Sequence, residues 1–195
     1  SSVLMFHERP VDELRSVALD PASRAARALL QIVLAERGTS PEWVDVEAGA
    51  DPRHADCDAW LRIGDPALRE CVDPTTPAAF SPSEAWKEIT GTAFPFAVWI
   101  VREGVDISAH LDAFWRSRER GVAALDSLVQ MGAKTWDLDP AFVHRYLAEE
   151  SLYSLGDRLP STLRELRDRG ASLGLCEGTL DPRPVEPLRP EGVLS

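Results

Sequence analysis

The feature that most constrains the fold is an alternation of short apolar runs with one long helical pattern, all before residue 66. The runs Ser2–His7, Ser16–Asp20, Pro41–Glu47 and Asp58–Asp65 have the length and composition of strands. A helical pattern, Asp20–Gly38, separates the second run from the third. This order predicts an α/β fold in which helices cover the faces of a parallel or mixed sheet.

The helical pattern after Asp20 has clear start and stop signals. Asp20 fits the N-cap position, Pro21 fits the first helical position, and Gly38 follows the last turn. The interior is rich in Ala, Leu, Ile and Val, so we expect most of this helix to be buried.

Two further elements are predicted before residue 104. Ser81–Gly91 begins with a capping box, because Glu84 stands three residues after Ser81, and it predicts a helix. Phe94–Glu103 is apolar enough to predict a fifth strand that is buried on both faces. We expect its part Phe94–Val101 to lie next to Ser2–His7 in one sheet.

The remaining chain is mainly helical. A helical period runs from Asp106 to Trp136, and Asp139–Glu150 and Asp157–Gly174 predict two more helices. The proline-rich stretch Leu180–Ser195 predicts an extended tail. We therefore divide the chain into an α/β lobe with hinge strands (1–103), a C-terminal helical segment (104–175) and a Pro-rich extended tail (176–195).

Composition and charge exclude several classes of protein. The net charge of −11 argues against a nucleic-acid partner or an anionic membrane surface, and no apolar run is long enough to span a membrane. Three cysteines without C-x-x-C spacing and four scattered histidines predict neither disulfides nor a metal site. Reduced thiols and the lack of a secretory signal in the first ten residues indicate a cytoplasmic protein.

The first turn of the helix after Asp20 is a candidate anion site. Ser23, Arg24, Ala25 and Ala26 would offer a hydroxyl, a guanidinium and free backbone N–H groups at the positive end of the helix dipole. Such a set suits a carboxylate or a phosphate. The alternative is an ordinary capped helix with a surface arginine.

Asp65 is the candidate for acid–base chemistry. It stands where a strand ends and a helix begins, and open α/β sheets bind their ligands at that end of the strands. There it could orient a hydroxyl or accept a proton. As an N-cap followed by Pro66 at the first helical position it would need no function. The residues alone leave both interpretations open.

Four segments, in this order, resemble the chorismate dehydratases. They read SVLMFHERPVDELRSVALDPASRAARALLQIVL, DAWLRIGDPAL, EAWKEITGTAFPFAVWIVR and YLAEESLYSLG. The most specific part is IGDPAL followed by the pattern W-x-x-x-T-G-x-x-F-x-F-A-x-W. The resemblance covers Ser2 to about Leu175. It implies a type II periplasmic-binding-protein-like fold, with the ligand in a cleft between two lobes.

The resemblance also implies a reaction and a site. The family removes water from chorismate, a dicarboxylate, to give 3-[(1-carboxyvinyl)oxy]benzoate, and it uses no metal or organic cofactor. Asp65 then becomes the catalytic candidate, although the substrate's own carboxylate could also serve as the base. The substrate-binding candidates are Ser2, Ser23, Arg24, Ala25, Ala26 and Gly64. A homodimer stays open.

This chain departs from the family pattern at several places. Family members usually carry Thr and Ser where it has Ala25 and Ala26, and Ser where it has His7. They also carry an upstream segment with a Tyr-Leu-Asn motif that lines the cleft. We therefore expect one full lobe with a mixed sheet, plus the C-terminal helices of the other lobe.

Three alternatives to a competent dehydratase follow from the same residues. The first is a module that binds a small carboxylate without converting it, and the second is a degenerate or truncated family member. The third, dihydroxynaphthoate synthase, is disfavoured because that enzyme has Ile-His-Glu where this chain has Ile63, Gly64 and Asp65.

Overall fold

The N-terminal half of the chain folds around a five-stranded mixed sheet in the computed structural model. The structure describes residues 1–179, 181–183 and 192–193. Its strands and helices, labelled in chain order, are β1 Val3–His7, β2 Ser16–Leu19, α1 Arg24–Glu36, β3 Glu42–Asp45, β4 Ala59–Ile63, α2 Gly64–Val72, β5 Ala78–Phe80, α3 Pro82–Thr90, α4 Leu111–Ala123, α5 Leu125–Trp136, α6 Pro140–Arg145, β6 Leu152–Ser154, α7 Leu159–Ser172 and β7 Gly192–Val193.

The order of the strands is β3-β2-β4-β1-β5. β2 is parallel to both β3 and β4, whereas β1 is antiparallel to both β4 and β5. The carboxyl ends of β2, β3, β4 and β5 therefore lie at the same edge of the sheet, together with the amino end of β1. We call this side of the sheet the carboxyl edge.

Helices cover both faces of the sheet. On one face, Leu30 and Leu34 of α1 are fully buried against side chains that include Val17 and Leu61. On the other face, Leu4, Phe6, Ala18 and Trp60 form a smaller cluster. The central strands β1, β2 and β4 thus alternate their side chains between two buried faces, which is why these three strands read as continuous apolar runs. The predicted α/β class with a mixed sheet is confirmed.

Four of the predicted strands and the capped helix Ser81–Gly91 are confirmed, with slightly shorter bounds. The Ser81 side chain accepts a hydrogen bond from the Glu84 N–H at 3.4 Å, and Gly91 ends α3 in the left-handed conformation, with φ 72°. Gly38 likewise follows the end of α1, with φ 76°. Capping signals in the sequence therefore located both ends of α3.

The predicted start of α1 is wrong by several residues. The helix begins at Arg24, and its N-cap is Ser23, whose side chain accepts a hydrogen bond from the Ala26 N–H. The Asp20 carboxylate instead accepts a hydrogen bond from the Ala22 N–H at 2.9 Å and closes a turn over Pro21. Two capping residues stand close together here, and the one nearer to the apolar run caps the helix.

The predicted fifth strand, Phe94–Glu103, is wrong. These residues form no ladder, and Trp99 and Ile100 are 85% and 86% exposed. β1 has β4 on one side and Ala78–Phe80, a strand that the sequence did not predict, on the other. Both hydrogen-bonding sides of β1 are thus occupied, so the predicted pairing of Ser2–His7 with Phe94–Val101 is also wrong.

The described chain divides into two compact units. The first holds Ser1–Phe96 and Pro160–Pro182, and the second holds Ala97–Leu159 with Arg183 and β7. Most of α7 therefore belongs with the sheet, where Arg169 pairs with Glu36 of α1 and Leu166 packs against the buried Trp86 cluster. The sequence had assigned all of residues 104–175 to one helical segment.

The second unit contains α4, α5 and α6, the strands β6 and β7, and a π-helical turn at Tyr146–Glu150. The predicted helical period from Asp106 to Trp136 is confirmed as α4 and α5, which a break at Ala124 separates. Val129, Ala133 and Val143 form the core between α5 and α6. The predicted extended tail lies largely outside the described residues. Within the described part of the chain, no helix has the length and apolar character that crossing a bilayer requires.

Candidate functional site

The carboxyl edge gathers the residues that the sequence analysis selected. Ser2 immediately precedes β1, the turn Asp20–Ser23 follows β2, and Gly64 follows β4. The Gly64 N–H donates a hydrogen bond of 2.8 Å to the Ser2 carbonyl, which joins two of the candidates directly. Ser23 and Arg24 are placed at the same edge because β2 and β4 are adjacent and parallel.

The connections that leave β2 and β4 run in opposite directions. After β2 the chain passes through α1 to β3, on one side of the pair, and after β4 it passes through α2 to β5, on the other side. α1 packs on the Leu61 face, whereas Glu70 of α2 bonds to Trp60 on the opposite face. Adjacent parallel strands with diverging exits open a crevice at their carboxyl ends, where open α/β sheets bind ligands.

The amino terminus of α1 is only partly free for an anion. The N–H of Ala26, one of the predicted donors, already donates to the Ser23 hydroxyl at 3.1 Å, and the Ala26 side chain is fully buried. The N–H groups of Arg24 and Ala25 have no hydrogen-bond partner among the described residues, and the Arg24 side chain is exposed. Arg24 and Ala25 therefore remain the available donors, with the Ser23 hydroxyl beside them.

Asp65 is the second residue of α2, not its N-cap. The N-cap position belongs to Ile63, which has no side chain that can cap, and Pro66 is the third helical residue rather than the first. The interpretation of Asp65 as a helix cap is therefore wrong. Its carboxylate is exposed in the first turn, where a negative charge is favoured by the helix dipole.

A third helix begins at the same edge, and the sequence analysis did not place it there. α3 starts directly after β5, with Ser81 as N-cap and the Ser83 hydroxyl 3.2 Å from that of Ser81. The capping box of Ser81 predicted the helix α3. Because β5 was not predicted, the sequence did not show at which edge of the sheet this helix begins. α1, α2 and α3 together direct three helix amino termini at the carboxyl edge.

A buried ion pair anchors α2 to β4. The Glu70 carboxylate, only 5% exposed, accepts hydrogen bonds from Trp60 Nε1 at 3.0 Å and from Arg62 Nε at 2.6 Å. Neither Arg62 nor Glu70 was predicted to have a role. The available signal was Arg62 within an otherwise apolar strand, since a charge at a buried strand position needs a partner.

Asp51 and Arg53 extend this ion pair into a ring of four charges. Asp51 lies 2.9 Å from Arg62 and 2.6 Å from Arg53, and Arg53 lies 3.5 Å from Glu70. The Arg53 hydrogen bond is the main cause that lowers the pKa of Asp51 to about 2, against an opposing effect of burial. The ring ties the connection before β4, the strand itself and the helix after it into one assembly.

A groove of the first unit lies away from these residues. It measures about 450 Å³ at the opposite edge, and its lining includes Arg9, Arg15, Cys57 and Asp58. Both arginines already pair with Asp58, at 3.0 and 3.4 Å, and burial raises the pKa of the Cys57 thiol. This groove thus offers neither a free cation nor an activated thiolate. Among the described residues, no group of three or more His, Cys, Asp and Glu side chains is placed to hold a metal ion.

Comparison with known proteins gives two findings. A family model described as menaquinone biosynthesis matches residues 1–172. A curated relative, the chorismate dehydratase of Thermus thermophilus, is 30% identical over 162 residues, which cover 75% of this chain and 59% of the relative. The chain thus spans about three fifths of the length of that relative.

The backbone at Gly64 generates a first prediction. Its φ of 65° lies in the left-handed region, and no atom lies within 4 Å of the position that a Cβ would occupy. Gly64→Ala should therefore lower the free energy of unfolding by about 1–2 kcal/mol through backbone strain alone, measured by urea denaturation. Gly121→Ala, at an equally open position inside α4, should raise it by roughly 0.5–1 kcal/mol. Equal effects of both substitutions would contradict this assignment.

The lowered pKa of Asp51 generates a second prediction. Because its folded value of about 2 lies below the ordinary 3.8, its stabilising effect is complete above about pH 5 and is lost as the pH falls toward 2. Wild type should lose about 2 kcal/mol more stability over this range than Asp51→Asn. Denaturation curves at several pH values measure the difference, and parallel pH profiles for the two proteins would disprove the prediction.

Proposed function

This chain belongs to the menaquinone biosynthesis family, and from that membership we propose that it acts as a chorismate dehydratase. The reaction removes water from chorismate and yields 3-[(1-carboxyvinyl)oxy]benzoate. The relative from Thermus thermophilus, which carries the name of this activity, supports the proposal. In the same proposal the α/β unit is one lobe of a type II periplasmic-binding-protein-like fold, and its carboxyl edge faces the ligand.

The observation that carries the proposal is that three helix amino termini lie at the carboxyl edge of the sheet. The chain has a net charge of −11, so its overall field repels a dicarboxylate. Free N–H groups at helix amino termini attract carboxylates locally, whatever the net charge. In this proposal Arg24 and the N–H groups of Arg24 and Ala25 hold one carboxylate of the substrate.

The chemistry requires a proton acceptor more than it requires an electrophile. A base takes the proton from a ring carbon, and the C–H electron pair becomes a new double bond of the ring. The C–O bond of the neighbouring hydroxyl breaks, and the departing hydroxide takes up that proton to leave as water. Aromaticity of the product drives this step, so the protein has to orient the substrate and handle the proton. Asp65 is proposed for that task, because its carboxylate is exposed at the crevice and makes no hydrogen bond within the described structure.

A second function, the binding of a small carboxylate without conversion, is favoured by one observation. Methyl groups stand at Ala25 and Ala26, where hydroxyl donors are usual in the family that the chain resembles. One assay separates the two functions. Full-length protein incubated with chorismate should release a product that is lighter by one water, as chromatography with mass detection shows. Binding of chorismate without such a product would favour the binding module.

The anion site generates a third prediction. Arg24→Ala should weaken the binding of the aromatic product about tenfold, or about 1.4 kcal/mol, because an exposed guanidinium contributes modestly to holding a carboxylate. Titration calorimetry measures the two affinities. Arg37→Ala, at the other end of α1, removes an arginine of similar exposure and should leave the affinity unchanged. Equal affinities for wild type and Arg24→Ala would show that the carboxylate does not bind at the amino terminus of α1.

The role of Asp65 generates a fourth prediction. Asp65→Asn should lower kcat by roughly 10²–10⁴-fold if the carboxylate moves the proton, while the loss of its dipole interaction changes stability by less than about 1 kcal/mol. Steady-state kinetics and denaturation measure the two effects. Asp126→Asn removes a matched first-turn aspartate from α5 and should leave kcat intact. Wild-type turnover in Asp65→Asn would show that Asp65 is not the base and would favour the substrate's own carboxylate in that role.

A further inference from the structure

We infer that Glu70 is a positioning residue, which sets the direction of α2 and thereby the place of Gly64 and Asp65 at the carboxyl edge. The inference rests on the proposed function, since it concerns the same crevice. Glu70 does not reach the edge itself, because it stands five residues after Asp65 in α2.

The link between β4 and α2 has no loop. β4 ends at Ile63 and α2 begins at Gly64, so a single left-handed residue makes the whole turn. Rotation about this one residue would swing the entire helix. Asp65, in the first turn, and Glu70, in the second, move together in such a rotation because both belong to one rigid helix.

Two different atoms of Glu70 hold the helix against the strand that precedes it. Oε2 accepts from Trp60 Nε1 at 3.0 Å, and Oε1 accepts from Arg62 Nε at 2.6 Å. Trp60 and Arg62 are both residues of β4. A buried carboxylate with two fixed donors on one strand leaves the helix little freedom to rotate.

The surroundings of Glu70 show why a neutral substitute cannot replace it. A glutamine side chain at this position would keep one acceptor oxygen, but its amide nitrogen would face an N–H donor of either Trp60 or Arg62. Arg62 would still pair with Asp51 at 2.9 Å, so its charge would not be left alone. The Glu70→Gln change thus disturbs the position of α2 more than it disturbs the charge balance of the ring.

A double-mutant cycle in the full-length protein tests whether Glu70 acts through Asp65. Glu70→Gln should lower kcat between about ten- and a hundredfold with KM nearly unchanged, since small misplacements of a reacting group have effects of that size. In the Asp65→Asn background the same change should lower kcat less than about twofold. Glu88→Gln, which breaks an exposed arginine pair of α3, should leave kcat unchanged in both backgrounds. Equal losses in the two backgrounds would overturn the inference.

An activity-independent measurement decides the inference even if the protein does not convert chorismate. In ¹H–¹⁵N spectra, Glu70→Gln should move the backbone amide signals of Gly64 and Asp65 and the indole signal of Trp60, whereas Glu88→Gln should move none of them. If Glu70→Gln fails to fold, Trp60→Phe replaces it in this experiment. Trp60→Phe removes one hydrogen bond to Glu70 and no charge, and it should also move the Gly64 and Asp65 signals. Unchanged Gly64 and Asp65 signals in a folded variant would refute the positioning role.

Discussion

The parallel pairing of β2 with β4 is the constraint on which the rest of the first unit depends. Because the two strands are adjacent and point the same way, their carboxyl ends meet at one edge. Because their following helices lie on opposite faces, those ends are not covered by a connection. The common edge at which α1 and α2 begin, and the position of Asp65 there, follow from this arrangement. If either strand ran in the opposite direction, α1 and α2 would begin at opposite edges of the sheet.

Several charged side chains of this unit are paired with neighbours of opposite charge. The ring of Asp51, Arg53, Arg62 and Glu70 neutralises itself close to one face of the sheet, and the groove at the opposite edge contains the similarly paired Asp58. Arg24 has no such partner among the described residues and is exposed at the carboxyl edge. An exposed cation next to free N–H groups of a helix can attract an anion even in an acidic chain.

Local sequence signals predicted most strands and helices of the first unit. Contacts between distant segments determined which strands pair with each other. Apolar runs and capping residues located β1 to β4 and α3, because these patterns depend on neighbours within a few residues. Phe94–Glu103 has the composition of a buried strand, yet β1 already had two partners, and a run of apolar side chains carries no information about free strand edges. The three-residue β5 was too short to give a pattern.

By itself the sequence determined the α/β class, the order β1, β2, α1, β3 and β4, and the candidates Ser23, Arg24 and Asp65. These depend on residue type and spacing along the chain. Only the tertiary structure decided that Ala26 is already bonded, that Asp65 lies inside α2 rather than before it, and that Glu70 fastens this helix to β4. Each of these facts concerns hydrogen bonds whose geometry is settled by packing. The sequence shows which donors and acceptors are present, but only the folded backbone determines which of them form hydrogen bonds with each other.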